Sequence, residues 1–498
     1  MGGNYTVAMA ATFHIENFGC RAARADGEAV SSRLHAEGLR ASESSAADVV
    51  VVNTCSVTAE ADRTARAFIR RTRRLNPKAK IVVTGCYAQR APEELAGLIG
   101  VAAVVGNSHK ALAPEIILGL LGGAAPDACK ELVQIQVATK LARANSELLA
   151  PPQVVVWADD RFAHSFLEEA QVTPGAQTRP NLKIQEGCGN RCTFCVIPQT
   201  RGPSKSLPHA VVLRQVEGFV AVGGKELVLS GINLGRWGRD FPDSGIAGRS
   251  TLAGLLRTIF EQTALPRLRL SSIEPMDWDA ELIGLMAEFG GNRLARHAHL
   301  PLQSGSDAVL RRMHRRYRPW HYAEMVAALL KAAGPELTLG ADVMVGFPGE
   351  TDAEFEETVA LIQALPFGYL HLFPFSPRPG TPGWAMHAVR AVPPAVVEER
   401  MAVLRKLASD KCKTHRKRFV GQELEAITLH TSAEMAARGR SAALTDNFLP
   451  LELEGRLEAN QLVRARVSAL TAEGTLEGLA ETQGFTSRSS LCNATVTR

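Results

Sequence analysis

The chain has 498 residues, 46% apolar and 21% charged, with a formal net charge of +5. This composition excludes a wholly disordered chain, and the length predicts about three domains. No apolar run is long enough for a membrane span and the start lacks the pattern of a secretory leader, so a cytoplasmic protein with no membrane partner is expected.

Residues 1–123 alternate short apolar runs with helical patterns. ATFHI, DVVVV, KIVVT and VAAVVG are candidate strands, and AEADRTARAFIRRTRRLN is a candidate helix. That alternation predicts a parallel sheet with covering helices. Cys20, Cys55 and Cys86 each lie just beyond one of the first three strands. Open α/β sheets bind ligands at that edge. The three thiols are therefore either ligands converging on one cluster or three buried structural cysteines. Residues 124–178 read as a connector with scattered proline.

Residues 179–395 resume the alternation, with LKIQ, ELVLS, RLRLSS, HAHLPL, LTLGADVMVG and YLHLFPF as candidate strands. Six units predict an open partial barrel, since a closed one needs eight. Immediately after the first of these strands stands GCGNRCTFC, with Cys188, Cys192 and Cys195. Thiolates this closely spaced can hold one iron–sulfur cluster from a single loop. A zinc site would want four ligands, and this loop has neither a fourth cysteine nor a histidine. Three ligands leave one iron of a 4Fe–4S cluster open, at the barrel end where active sites lie. The GFPGET stretch lacks the lysine and spacing of a phosphate loop.

Residues 396–419 read as a basic helical linker. Residues 420–485 read as a small β-barrel from the runs ELEAITLH, FLPLELEG and QLVRARVSAL, and 486–498 as a polar tail. Nine cysteines, an odd number, favour metal or redox roles over disulfides. Cys129, Cys412 and Cys492 lack such placement and read as packing or surface thiols. Basic residues gather at Arg63–Arg74, Arg311–Arg318 and Lys411–Arg418. Such groups suit phosphate contacts, or else are solvated helix faces.

With both cysteine sets in view, nearly the whole chain resembles the methylthiotransferase family of radical S-adenosylmethionine enzymes. The resemblance implies an N-terminal cluster-binding domain, a radical S-adenosylmethionine partial barrel and a C-terminal TRAM domain that binds RNA. It implies two 4Fe–4S clusters, on Cys188, Cys192 and Cys195 and on Cys20, Cys55 and Cys86. The first would cleave S-adenosylmethionine to a radical that attacks an adenine C–H bond; the second would hold the sulfur that becomes methylated. Cys188, Cys192 and Cys195 would thus be the catalytic set.

LSGINLGRWG, RLRLSSIEP, HLPLQSGSDAVLRRM and LTDNF resemble the branch acting on N6-threonylcarbamoyladenosine beside the tRNA anticodon. The alternatives are isopentenyladenosine in tRNA, a ribosomal-protein aspartate, or a non-catalytic metal-containing RNA-binding protein. A reduced donor such as a flavodoxin or ferredoxin and a sulfur source are implied partners. Phe194, Gly223, Gly224, Glu226, Glu274, Gln303 and Asp342 are expected around the cofactor or substrate. The family's asparagine three residues after its first cysteine is replaced by Ala23, which puts the tuning of the auxiliary cluster in question.

Overall fold

The computed structural model describes residues 11–122, 154–166, 178–242 and 251–481, and the backbone of 135–136. The expectations for Cys129, Cys492, the 486–498 tail and most of the connector lie outside these residues.

The valine runs of the first domain are buried on both faces, as a covered parallel sheet requires. Its strands are β1 (Thr12–Asn17), β2 (Arg40–Ala41), β3 (Val49–Thr54), β4 (Lys80–Gly85), β5 (Val101–Gly106), β6 (Ile135–Gln136) and β7 (Val155–Trp157). They lie in the order β2-β1-β3-β4-β5-β7-β6, all parallel except β6. Successive valines face opposite sides. Val49 and Val51 pack under α1 (Arg21–Ala36), through Ala29, Val30 and Leu34. Val50 and Val52 pack under α2 (Ala59–Leu75), through Ala65 and Ile69. The Thr58 hydroxyl caps α2 by accepting from the Ala61 amide at 3.2 Å, with acids in the first turn and arginines in the last. The sheet reaches into the expected connector, because β7 completes the edge of β5.

The middle domain has the six expected parallel strands: β8 (Asn181–Glu186), β10 (Glu226–Gly231), β11 (Arg267–Leu270), β12 (His297–His299), β13 (Thr338–Val345) and β14 (Phe367–Pro374), with a short antiparallel β9 (Lys205–Ser206). They form two sheets, β11-β10-β8-β9 and β12-β13-β14. The seam is narrow: Leu268 bridges Leu294, and the Ile273 amide donates to the His299 carbonyl at 3.1 Å. One core of leucines, valines and aromatics fills the space between strands and outer helices.

A helix over Pro394–Lys417 leads to the last domain. There β15 (Glu423–Thr428), β16 (Arg440–Thr445), β17 (Pro450–Glu454), β18 (Leu462–Leu470) and β19 (Leu476–Ala480) close into a barrel. Alternate residues such as Leu424, Ala426, Leu451 and Leu453 fill it. Among the described residues, no helix is long and apolar enough to cross a membrane.

Candidate active site

Each cysteine of the first set stands where a parallel strand runs out. Cys20 begins α1 after β1, Cys55 follows β3, and Cys86 opens α3 (Cys86–Arg90) directly after β4. Gly19, at φ +118°, lets two of these segments meet: a Cβ there would lie 2.6 Å from Cys55 Cβ. Cys55 and Cys86 are buried and Cys20 is exposed. Burial pushes the Cys55 thiol up to about 12, and the neighbouring Cys86 and Cys20 push the same way. A buried thiol this reluctant to ionise is one that a bound cation would deprotonate.

The second set lies on one loop beyond β8. Gly187 turns the chain at φ +67°, and the Cys188 amide donates to the Gly202 carbonyl at 3.1 Å. Thr193 fixes the middle of the loop, donating through its amide to the Met313 carbonyl (3.1 Å) and through its hydroxyl to the Arg312 carbonyl (2.9 Å). Burial, reinforced by Cys192 and Cys188, pushes the Cys195 thiol up to about 12.

Side chains from elsewhere donate to these sulfurs. Arg315 Nη1 lies 3.4 Å from Cys192 Sγ, and Asn233 Nδ2 is 3.6 Å from Cys188 Sγ. Arg201 Nε and Asn107 Nδ2 each stand 3.3 Å from Cys86 Sγ. Donors onto sulfur favour the thiolate and orient it. None of the four was expected from sequence. Asn233 does lie in the LSGINLG stretch beyond β10, so strand-end logic alone had a route to it.

Arg201 also joins the two cysteine regions. Its Nη1 pairs with Glu186 at 2.7 Å and with Asp26 at 3.1 Å. Lys110 and Lys183 pair with the same two carboxylates, and all five side chains are buried. Burial opposes ionisation of Glu186, but Arg201, Lys110 and Lys183 hold it well below the usual carboxylate range.

Four of the expected barrel residues lie toward this end or inside the barrel. Glu274, beyond β11, pairs with Arg315. Gln303 sits in left-handed backbone at φ +62°, with its amide on the Asp342 carbonyl at 2.7 Å. Asp342 accepts from His299 Nε2 at 3.1 Å and from His371 Nδ1 at 3.2 Å. Phe194 packs beside Val309, Met313, Met344 and Phe347.

Gly223, Gly224 and Glu226 do not approach the cysteine loops. β10 begins at Glu226, so all three lie at its amino end, the opposite end of the barrel. Glu226 is fully buried and pairs with Arg269 (2.7 Å), Arg179 (3.4 Å) and Arg267 (3.6 Å). Burial raises its pKa, but these arginines outweigh that and hold it at about 2. The Gly223 carbonyl accepts from Asn460 Nδ2 at 3.0 Å, and Gly224 clears the Phe219 ring. They read as cofactor glycines only because the sequence does not show which way the strand points from them.

The basic stretches divide. On α2, Arg63, Arg70, Arg71 and Arg74 are exposed. In the second, Arg312, Arg315 and Arg318 are spent on Glu354, Glu274 and Asp307. In the third, Lys413 and Lys417 are exposed, while Lys411 and Arg416 bind carbonyls.

Residues 12–106 match a family described as Uncharacterized protein family UPF0004, and residues 182–362 match the Radical SAM superfamily. The threonylcarbamoyladenosine tRNA methylthiotransferase MtaB of Thermotoga maritima is 32% identical, covering 93% of this chain and 96% of its own. Its Bacillus subtilis namesake is 35% identical over 89% of this chain and 91% of its own. The chain belongs to the radical SAM tRNA methylthiotransferases.

A methylthiotransferase relative with another named product, the tRNA-2-methylthio-N(6)-dimethylallyladenosine synthase of Cereibacter sphaeroides, is 32% identical over 93% of this chain and 97% of its own. The fold is shared with TsrM of Kitasatospora setae, a radical S-adenosylmethionine methyltransferase, at a TM-score of 0.50 and 16% identity over 77% of this chain and 80% of that one. Methylthiotransferases of this superfamily use S-adenosylmethionine and 4Fe–4S clusters. The donor set here fits: two groups of three thiols, each at strand ends and each met by cationic or amide donors.

Proposed function

We propose that this enzyme adds a methylthio group to N6-threonylcarbamoyladenosine beside the anticodon of tRNA. The observation that carries it is the buried Arg201, which meets Cys86 Sγ at 3.3 Å and pairs at 2.7 Å with Glu186, at the end of the strand that leads into the Cys188–Cys195 loop, and so ties the two three-thiol groups together. Cys188, Cys192 and Cys195 hold one cluster, and Cys20, Cys55 and Cys86 hold the other. Bound there, the clusters supply reductive cleavage of S-adenosylmethionine and a sulfur that accepts a methyl group.

The protein's own residues orient and shield this chemistry. Arg315 fixes Cys192 and neutralises Glu274; Asn233 steadies Cys188; Arg201 and Asn107 steady Cys86. Phe194, Glu274, Gln303 and Asp342 line the approach for cofactor or base. Exposed arginines of α2, with Lys413 and Lys417, offer phosphate contacts that position the tRNA without choosing its sequence. A reduced flavodoxin or ferredoxin, a sulfur source and a cytoplasmic setting complete the reading.

Identity to relatives does not separate threonylcarbamoyl from dimethylallyl substrates, since both groups stand at about one-third. The LSGINLG, IEP and LTDNF stretches favour the former. The test is nucleoside mass spectrometry of total tRNA from a deletion strain restored with wild type or Cys192→Ala. Methylthio-threonylcarbamoyladenosine should vanish on deletion, its precursor should accumulate, and only wild type should restore it. An unchanged level, with no redundant enzyme, would overturn the assignment.

A further inference from the structure

Inside the partial barrel, reaching the auxiliary edge through Arg21, lies a group of cations that this chemistry does not use. The turn joining β16 to β17 carries the LTDNF stretch, and Phe448, at φ +68°, points from it into the barrel. Its ring stacks on His297 (4.3 Å between centroids) and lies 5.6 Å from Tyr369. Two guanidiniums flank it, Arg269 at 5.4 Å and Arg21 at 5.6 Å. Arg21 directly follows Cys20, so it stands at the edge between the auxiliary site and the barrel.

The charges here do not balance. Arg269 donates through Nε to Glu226 at 2.7 Å and through Nη2 to the Thr445 carbonyl at 3.1 Å; its buried Nη1 has no partner. Arg179 Nε is also buried without a partner. Arg179 and Arg269 pair with one carboxylate, Glu226, whose field also reaches Arg21; Arg267, 3.6 Å from Glu226, is paired with Glu425 at 2.9 Å. The next acid toward the mouth, Asp342, is occupied by two imidazoles. Buried donors without acceptors and cations in excess are costly unless an anion completes them. The neighbourhood is open: Arg21 and His371 are exposed, and Tyr369 is partly so. Tyr369 and His299 form a hydrogen-bonding wall between this floor and the mouth, with the Tyr369 hydroxyl 2.9 Å from His299 Nδ1.

We infer that Arg21 and Arg269, set about Phe448, bind the carboxylate of an amino-acid group carried on the target adenine, and so determine substrate choice. This rests on the threonylcarbamoyl reading above. A threonine joined through its nitrogen keeps a free carboxylate and a hydroxyl; a dimethylallyl group has neither. The carboxylate fills the open Arg269 donor and offsets the cation excess. A guanidinium accepts carboxylate in a forked pair. The hydroxyl faces the Tyr369–His299 wall. Backbone phosphates would be held outside the barrel, where exposed α2 arginines lie.

The test uses the full-length, cluster-loaded enzyme and three anticodon stem-loops. One carries threonylcarbamoyladenosine, one the same group with its carboxylate converted to a carboxamide, and one isopentenyladenosine. For wild type, KM for the carboxamide RNA should exceed that for the acid by about tenfold or more, the scale of a charge-assisted hydrogen bond. Arg21→Gln, checked for unchanged iron content and melting temperature, should raise KM for the acid toward that of the carboxamide. Arg269→Lys should do so in part. Wild type that treats acid and carboxamide alike would overturn the inference while leaving the substrate reading intact. Methylthiolation of the isopentenyl RNA alone would overturn the substrate reading, and the inference with it.

Discussion

At the scale of single residues, buried charge is the dominant constraint. Arg201 has sides on Cys86, Glu186 and Asp26 and no exposed surface. Replacing it by methionine leaves two carboxylates to two lysines and removes a donor from Cys86. The charges left behind still balance, so the cost is that of the lost charge-assisted hydrogen bonds, about 1.5–3 kcal/mol. Arg201→Met should lower the urea midpoint accordingly, and the auxiliary site should lose iron before the barrel site does; equal loss from both sites would refute the specific role. His415 gives a pH signature. Burial, then Arg418 and Arg416, lowers its pKa from 6.5 to about 4. Between those values the unfolded chain binds a proton there that the folded chain does not. Stability is therefore complete above pH 6.5 and falls as the pH drops toward 4. His415→Gln should flatten part of that slope in urea titrations at pH 7 and pH 5. The cysteines were legible in the sequence because spacing and strand ends mark them. Arg201 and Arg315 were not, since they lie 115 and 123 residues from the sulfurs they touch.

At the scale of elements, hydrophobic alternation found the long strands of the first two domains, where valine runs and turn residues mark them, and three of the five barrel strands, but not β16 or β19. It missed β7, whose three residues become a strand only by pairing with β5. It also misread the glycines before β10, where local composition mimics a ligand turn but the strand's direction puts them at the far end. Gly85 shows the reverse case, a glycine whose role is geometric. At φ +97°, a Cβ there would sit 2.3 Å from the Thr54 carbonyl oxygen, on the strand that delivers Cys55. Gly85→Ala should force β3 and β4 apart where two ligands emerge, and lose about 1–3 kcal/mol through strain at a special backbone position. Thermal melts and iron content at the auxiliary site would measure it; an unchanged iron content would show that the sheet edge tolerates the shift.

At the scale of the whole molecule, the last domain locks onto the floor of the middle one. Asp446 of the last domain is buried against Arg296 at 2.7 Å, Asn447 donates to the Glu336 carbonyl at 3.0 Å, and Arg267 reaches Glu425 at 2.9 Å. The order of the domains was readable from sequence. Their contacts were not, because each is one polar side chain far along the chain from its partner. Arg296→Met strands the Asp446 carboxylate. It should cost about 3 kcal/mol, the range for removing one partner of a buried ion pair, and separate one thermal transition into two as the last barrel uncouples. A single, merely lowered transition by calorimetry would contradict that coupling.

The closed charge network between the first two domains also fixes an order of maturation. Cys55 and Cys86 are buried, and Arg201, a middle-domain residue, lies directly on Cys86; the barrel cysteines are half-exposed. Cys20 alone of the three auxiliary thiols is exposed, so iron and sulfide must enter past it or while these domains are briefly apart. A folded apo-chain reconstituted in the tube should fill its barrel loop first, whereas a carrier delivering clusters in the cell meets the auxiliary thiols uncovered while the middle domain is still being synthesised.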